Sequence, residues 1–208
     1  MEIYSLSVGP LEANCYIAYS GKDSIVIDPG DEANSILSFV REKGLRVHAI
    51  VLTHGHFDHF LAAGKLQEAL GAPVYIGRED LPMLTDPGWM AEYIPPGYVP
   101  PRDVRPLADG DTVGGGLLGV KVMSTPGHSP GSVCLYAPGV LFSGDLLFSG
   151  GIGRTDLPGG DPSAIKESLA KVVQLPDGTL VYPGHGPMTT IGDEKISNPY
   201  LSRRRGNL

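Results

Sequence analysis

At 208 residues with 41% apolar composition, the chain is long enough to bury a large core. Its formal net charge of −7 excludes the basic balance of a general nucleic-acid binder, and no apolar run approaches membrane-spanning length. No basic-then-apolar leader opens the sequence, and Cys15 and Cys134 lie in separate strand-like runs. The expectation is therefore a cytoplasmic protein with buried free thiols and neither membrane nor nucleic-acid partners.

In chain order, residues 1–6 alternate as an edge strand. Residues 15–19 and 24–28 predict a hairpin that turns over residues 20–23. Residues 33–43 place Ile36, Leu37, Phe39 and Val40 on one face and stop at Gly44, which predicts an amphipathic helix. Residues 47–52 form a strand, 58–70 a helix ending at Gly71, and 73–76 another strand. Residues 81–106 break the pattern with seven prolines, Trp89, Tyr93 and Tyr98. A long irregular stretch with aromatics reads as a lid or binding loop, with a covering layer over the core as its alternative. Beyond it the pattern turns β-rich, with short strands at 111–113, 119–124, 132–136 and 140–143, the first two separated by a glycine turn at 114–116. Residues 161–174 predict a helix capped by Asp161 with Pro162 in its first turn, and 180–182 a last strand. Arg203, Arg204 and Arg205 read as a solvated end.

The densest chemistry follows strand 47–52. Thr53-His54-Gly55-His56-Phe57-Asp58-His59 puts three histidines and an aspartate within seven residues. On extended backbone His54 and His56 project to the same side, and Asp58 and His59 can turn back to the same point. Imidazoles converging with a carboxylate are what a divalent cation needs. His48, at the start of the strand, reads as structural or surface.

These residues resemble the signature of the metallo-β-lactamase-fold hydrolases, and three further segments continue the likeness. They are Thr125-Pro126-Gly127-His128-Ser129, Ser143-Gly144-Asp145 and Pro183-Gly184-His185-Gly186. Five of the six histidines thus occupy ligand positions of that family, in its order, over a match from about residue 14 to about 187. The resemblance implies an α/β, four-layer αββα sandwich spanning 1–208 as a single domain, with the metal site at one edge. It implies that His54, His56 and His128 hold one divalent ion, Asp58, His59 and His185 a second, and that Asp145 bridges them. Asp28, at the end of the second strand, would support these ligands from behind. The ions would be zinc, with iron or manganese as alternatives on the same donors. A hydroxide held between them and oriented by Asp58 would attack a carbonyl. A thioester suits such a site, because a thiolate leaves readily at a thiol pKa of about 8.5.

Within that superfamily Asn14-Cys15-Tyr16 and the glycine-rich run 150–160 are similar to small glyoxalase II-like hydrolases, which act on S-D-lactoylglutathione. The full-length family continues into a C-terminal helical domain that contacts glutathione, whereas this sequence ends soon after His185. Arg154 is the candidate contact for an anionic substrate group; alternatively it pairs with Asp156 in its own loop. The runner-up is a persulfide dioxygenase of the same fold with one Fe(II) on His54, His128 and Asp145. Ile152 stands where that group tends to have cysteine, which makes the hydrolase the stronger expectation. β-Lactam hydrolysis shares the fold, but those enzymes are typically exported. A non-catalytic binding module would leave seven ligands without a role.

Overall fold

The structure, a computed structural model, describes residues 1–86 and 88–201. β1 (Glu2–Val8), β2 (Ala13–Ser20) and β3 (Asp23–Ile27) form an antiparallel meander. α1 (Ala33–Lys43) ends at Gly44, whose φ of 61° only glycine adopts without strain. β4 (Arg46–Val51) returns parallel to β3; α2 (Ala63–Leu70) leads to β5 (Val74–Gly77), and β6 (Val104–Leu107) closes a sheet ordered β1-β2-β3-β4-β5-β6.

The second half builds a second sheet. β7 (Thr112–Gly115), β8 (Leu118–Ser124), β9 (Val133–Ala137) and β10 (Val140–Gly144) run antiparallel. A short hairpin of β11 (Leu147–Phe148) and β12 (Gly151–Ile152) precedes α3 (Pro162–Val172). Asp161 caps α3 by accepting from the Ser163 and Ala164 amides. β13 (Leu180–Pro183) then pairs parallel to β10, β14 (Thr189–Thr190) flanks it, and α4 (Ile191–Ser197) follows, giving the order β14-β13-β10-β9-β8-β7.

Side-chain alternation sorts the strands' residues into three cores, and three cores mean four layers. Cys15, Ile17, Val26 and Ile50 face α1 and α2, joining Ile36, Val40 and Leu66. Their neighbours Tyr16, Ala18, Ile25, Ile27, Ala49 and Val51 point the other way, against Val120, Val122, Leu135 and Phe142 of the second sheet. On that sheet's far face Cys134, Leu141 and Val181 meet Ile165, Leu169 and Val172 of α3. The αββα sandwich implied by the family resemblance is the fold. Cys15 and Cys134 are buried free thiols. No helix among the described residues is long and apolar enough to cross a membrane.

Several elements depart from the sequence pattern. The helix expected over 58–70 is split into a 3-10 turn at Phe57–His59 and α2 from Ala63. The bend has a packing cause: a Cβ on Gly30 would lie 1.7 Å from the Asp58 carbonyl, and the Ala62 amide bonds the Pro29 carbonyl. The turn is thus pressed against the loop after β3. Inside the irregular stretch the structure has β6, whose Pro106 is tolerated because β6 is an edge strand. β11, β12, β14 and α4 are too short or too polar to show periodicity. The Arg203 to Arg205 reading lies outside the described residues.

His48 is a clamp residue rather than a member of the site. Its Nε2 lies 2.7 Å from Asp23 Oδ1, while Asp23 Oδ2 accepts from the Leu117 amide in the β7–β8 turn. Asp23 thereby ties the two sheets together at their far end. The hydrogen bond from His48, then that from Leu117, holds the Asp23 carboxyl below its ordinary value. A lowered folded pKa means that stability is present above the unfolded pKa of about 3.9 and lost as pH falls through the folded one. The Tm deficit of Asp23→Asn should therefore shrink as pH is lowered from about 6 to about 3. A deficit that stays constant over that range would exclude the carboxylate's role.

Candidate metal centre

The candidate ligands sit at one edge of the sandwich, in loops except for Asp58 and His59, which lie in the 3-10 turn. His54 and His56 follow β4, His128 precedes β9, Asp145 follows β10 and His185 follows β13. Backbone hydrogen bonds join these loops. The Val133 amide bonds the Thr53 carbonyl across the sheets, and the Gly184 amide bonds the Gly144 carbonyl.

The β3 end organises the first loop. Asp28 is buried and adopts a φ of 50°, a left-handed conformation that Asp tolerates better than most side chains. Its Oδ1 accepts from the Thr53 amide at 2.7 Å, and its Oδ2 from Thr53 Oγ1 at 2.6 Å and from His59 Nδ1 at 3.1 Å. Because the Thr53 hydroxyl donates to Asp28, its oxygen is left to accept from His54 Nδ1 at 3.1 Å. His128 donates Nδ1–H to the Arg154 carbonyl at 2.8 Å. Each of these partners leaves the Nε2 lone pair of His54, His59 or His128 directed away from it, as metal-binding imidazoles require.

The donor atoms converge in three groups. His54, His56 and His128 form one cluster, Asp58, His59 and His185 a second, and Asp145 clusters with His54 and His59. Nδ1 of His56 meets Nε2 of His128 at 2.9 Å, and the Nε2 atoms of His59 and His185 lie 3.3 Å apart. Asp58 Oδ2 is 3.2 Å from His185 Nε2; Asp145 Oδ2 is 3.5 Å from His128 Nε2 and Oδ1 is 3.6 Å from His59 Nε2. His54 Nε2 and Asp145 Oδ1 are buried without a hydrogen-bond partner. Buried polar atoms are almost always satisfied, so these orphans fit a bound cation. The donor set of five imidazoles and two carboxylates fits a pair of divalent ions.

The electrostatics divide in the same way. Burial, reinforced by neighbouring histidines, pushes His54 well below its ordinary pKa and His56 down to about 3, so both are neutral and able to ligate. Burial acts in the same direction on His59, but the Asp58, Asp145 and Asp28 carboxylates outweigh it and hold His59 up at about 10. A field that favours a proton at that point favours a metal cation there. Burial would raise Asp58, yet His59 and His185 keep it below its ordinary value, so it stays a carboxylate.

The signal of Asn14 and Tyr16 in the sequence has a mechanical basis. Asn14 Nδ2 donates to the Pro183 and Gly186 carbonyls, and the Tyr16 hydroxyl donates to Pro183 at 2.6 Å. Together they hold the loop that carries His185. A residue that sequence reasoning missed is Asp80, at the start of a 3-10 segment (Arg78–Leu84) after β5. It is fully buried; Oδ2 accepts from the Gly55 amide at 2.9 Å and Ser129 Oγ at 2.5 Å, and Oδ1 from the Gly131 amide at 2.7 Å. One carboxylate thus joins the His54–His56 loop to the His128 loop. Burial pushes its pKa up against these donors. Nothing in Gly77-Arg78-Glu79-Asp80 distinguishes it from a surface turn.

Above the donors opens a cavity of about 610 Å³, with Asp58, Asp145 and His185 among its lining residues. Trp89 and Tyr93 of a second 3-10 segment (Gly88–Tyr93) also line it, while Met90 of that segment is buried and Ile94 and Tyr98 pack against the core that contains Phe60. The proline-rich stretch is therefore both a cavity wall and a covering layer. Arg154 lines the cavity too, but its guanidinium is engaged bidentately by Asp156 at 2.7 and 2.8 Å.

Residues 8–185 match the family described as the metallo-beta-lactamase superfamily, and the chain belongs to it. Probable metallo-hydrolase YqgX of Bacillus subtilis is 39% identical over 202 residues, covering 95% of this chain and 96% of that protein. Hydroxyacylglutathione hydrolase GloC of Haemophilus influenzae is 33% identical over 213 residues, covering 98% of this chain and 100% of that protein. Among solved structures, TTHA1623 in a di-iron-bound form superposes with a TM-score of 0.86 at 45% identity, covering 95% of this chain and 100% of that one. ETHE1 from Myxococcus xanthus superposes with a TM-score of 0.80 at 30% identity, covering 96% and 84%.

Proposed function

We propose that the protein is a dinuclear metal-dependent thioesterase that cleaves S-D-lactoylglutathione or a related thioester. The observation that carries this reading is the pair of donor clusters, His54-His56-His128 and Asp58-His59-His185, with Asp145 between them. Two divalent ions held there would supply Lewis acidity to water and to the acyl carbonyl. Zinc suits the donors, and iron and manganese fit them as well; the di-iron-bound neighbour supports iron.

The chain's own residues do the rest. Asp58 lines the cavity with Oδ2 against His185, where it would orient the attacking water. Asp28, Thr53 and the Arg154 carbonyl fix the tautomers of His59, His54 and His128. The half-enclosed cavity holds the acyl group over these donors. A thiolate leaving group needs no general acid at neutral pH. GloC supports a thioester substrate, since that hydroxyacylglutathione hydrolase is matched over its whole length by this chain. We read the protein as acting in the cytoplasm on a small molecule.

The second reading, a mononuclear Fe(II) persulfide dioxygenase, would use His54, His128 and Asp145. It gives no task to the Asp58-His59-His185 cluster, which is the reason to rank it second. Metal content on the purified protein, read with S-D-lactoylglutathione hydrolysis, separates the two. Close to two metals per chain with thioester turnover is the expected result. One iron per chain, with oxygen uptake on glutathione persulfide and no thioester turnover, would replace it.

A further inference from the structure

The cavity is lopsided in its chemistry. Ligating groups and Arg154 share its lining with a larger apolar and aromatic set. Trp89 and Tyr93 belong to that set, with the Phe57 ring stacked on Tyr93 at 4.8 Å and 7°. Leu11, Phe148 and Leu157 also line the cavity. Leu11, Trp89 and Tyr93 are 52%, 37% and 49% exposed, which is costly for large apolar side chains unless something covers them. A concave apolar wall around a few convergent polar groups is the usual form of a small-molecule site.

The charge around the cavity bears on what that molecule is. Apart from the histidines of the metal clusters, Arg154 is the sole basic side chain lining it among the described residues, and Asp156 already takes its Nε and Nη2 edge, leaving Nη1 to meet a single anionic group. A glutathione conjugate brings two carboxylates and an ammonium, and a nucleotide-linked thioester brings phosphates. Arg154 can pair with one such group; bringing the others against Trp89, Tyr93 and Phe148 would strip water from charge without a basic partner. An apolar substituent, by contrast, gains from covering the same surface.

We infer that the thioester taken by this site carries an apolar, preferably aromatic, substituent on a carrier with at most one ionised group, and that Trp89 and Tyr93 set this preference. This rests on the thioesterase reading and narrows it within the related thioesters. Aromatic pairing adds to the area term, because flat rings stack on Trp89 and Tyr93 with little loss of freedom.

The test uses the metal-loaded full chain and two comparisons at matched reactivity. The first holds the thiol constant, comparing acetyl with phenylacetyl thioesters of N-acetylcysteamine. The second holds the acyl group constant, comparing D-lactoyl on glutathione with D-lactoyl on N-acetylcysteamine. The expected result is a kcat/KM about tenfold higher for phenylacetyl than for acetyl, the worth of one partly buried ring. The two lactoyl carriers should differ little. The double substitution Trp89→Ala, Tyr93→Ala should bring the phenylacetyl-to-acetyl ratio toward one. Trp89 is the chain's single tryptophan, so its emission reports binding apart from turnover: phenylacetate should perturb it and glutathione should not. An acyl ratio near one in the unaltered protein, a strong preference for the glutathione carrier, or a Trp89 silent to phenylacetate would each overturn the inference while leaving the thioesterase intact. No turnover of any thioester would overturn the thioesterase reading itself and the inference with it.

Discussion

Asp145→Ala is expected to lower thioester turnover by about a thousandfold or more and to reduce metal content from about two ions per chain to one or fewer, with little change in Tm. The carboxylate clusters with His54 and His59, and its Oδ2 also faces His128 and His185 at 3.5 and 3.8 Å. Asp145 is thus the carboxylate that faces histidines of both clusters. Removing it would leave two sets of imidazoles without a shared anion and weaken both. The fold should tolerate the change because Asp145 Oδ1 has no hydrogen-bond partner to abandon. His54→Ala should behave alike. Metal analysis and initial rates on both variants decide the matter; full activity in either would sink the assignment.

Asp80→Ala acts through stability first. It strips the acceptor from the Gly55 amide, the Gly131 amide and the Ser129 hydroxyl, all in buried surroundings. At about 1–3 kcal/mol for each unsatisfied buried group, partly relieved by Ser129 turning to Ser132, the loss should be about 3–5 kcal/mol. For a chain of this size that corresponds to a Tm lower by roughly 6–20 °C. The loops bearing His56 and His128 would also lose their common anchor, so metal affinity should fall about 10- to 100-fold. Asp80→Asn keeps the volume but sets an amide against at least one donor, and should fall between the variant and the parent. Calorimetry on metal-free protein and metal titration on the same samples check both effects. A Tm within about a degree of the parent would show that the hydrogen bonds to Asp80 are not stabilising.

Much of the site could be read from local spacing. His54 and His56 lie two residues apart just beyond β4, which ends at Val51, so their spacing told that they could converge, while the loop held by Asp28 and Asp80 sets how they do. The strands were legible where apolar residues alternate or run together, as in β3, β4 and β8, and α3 announced itself through Asp161 and Pro162 at its start. Asp28 was legible as a support for the ligands only through the family likeness; its bonds to Thr53 and His59 show how that support works.

What the chain order conceals is long-range. Asp80 lies 51 residues from Gly131 in sequence, and its carboxylate matters only because β5 ends beside the β8–β9 loop. The break between Phe57–His59 and α2 comes from Gly30 pressing on the Asp58 carbonyl, a contact that helical periodicity does not contain. The division of labour in the proline-rich stretch, Trp89 and Tyr93 to the cavity and Met90 to the core, is likewise set by what lies beneath each residue. By itself the sequence determined the ligand types, their local geometry and the strands that present them, because those depend on backbone period and side-chain chemistry. Only the tertiary structure decided how the donors divide into clusters, which buried carboxylates hold them and what lines the cavity above, because those depend on which distant segments share a space.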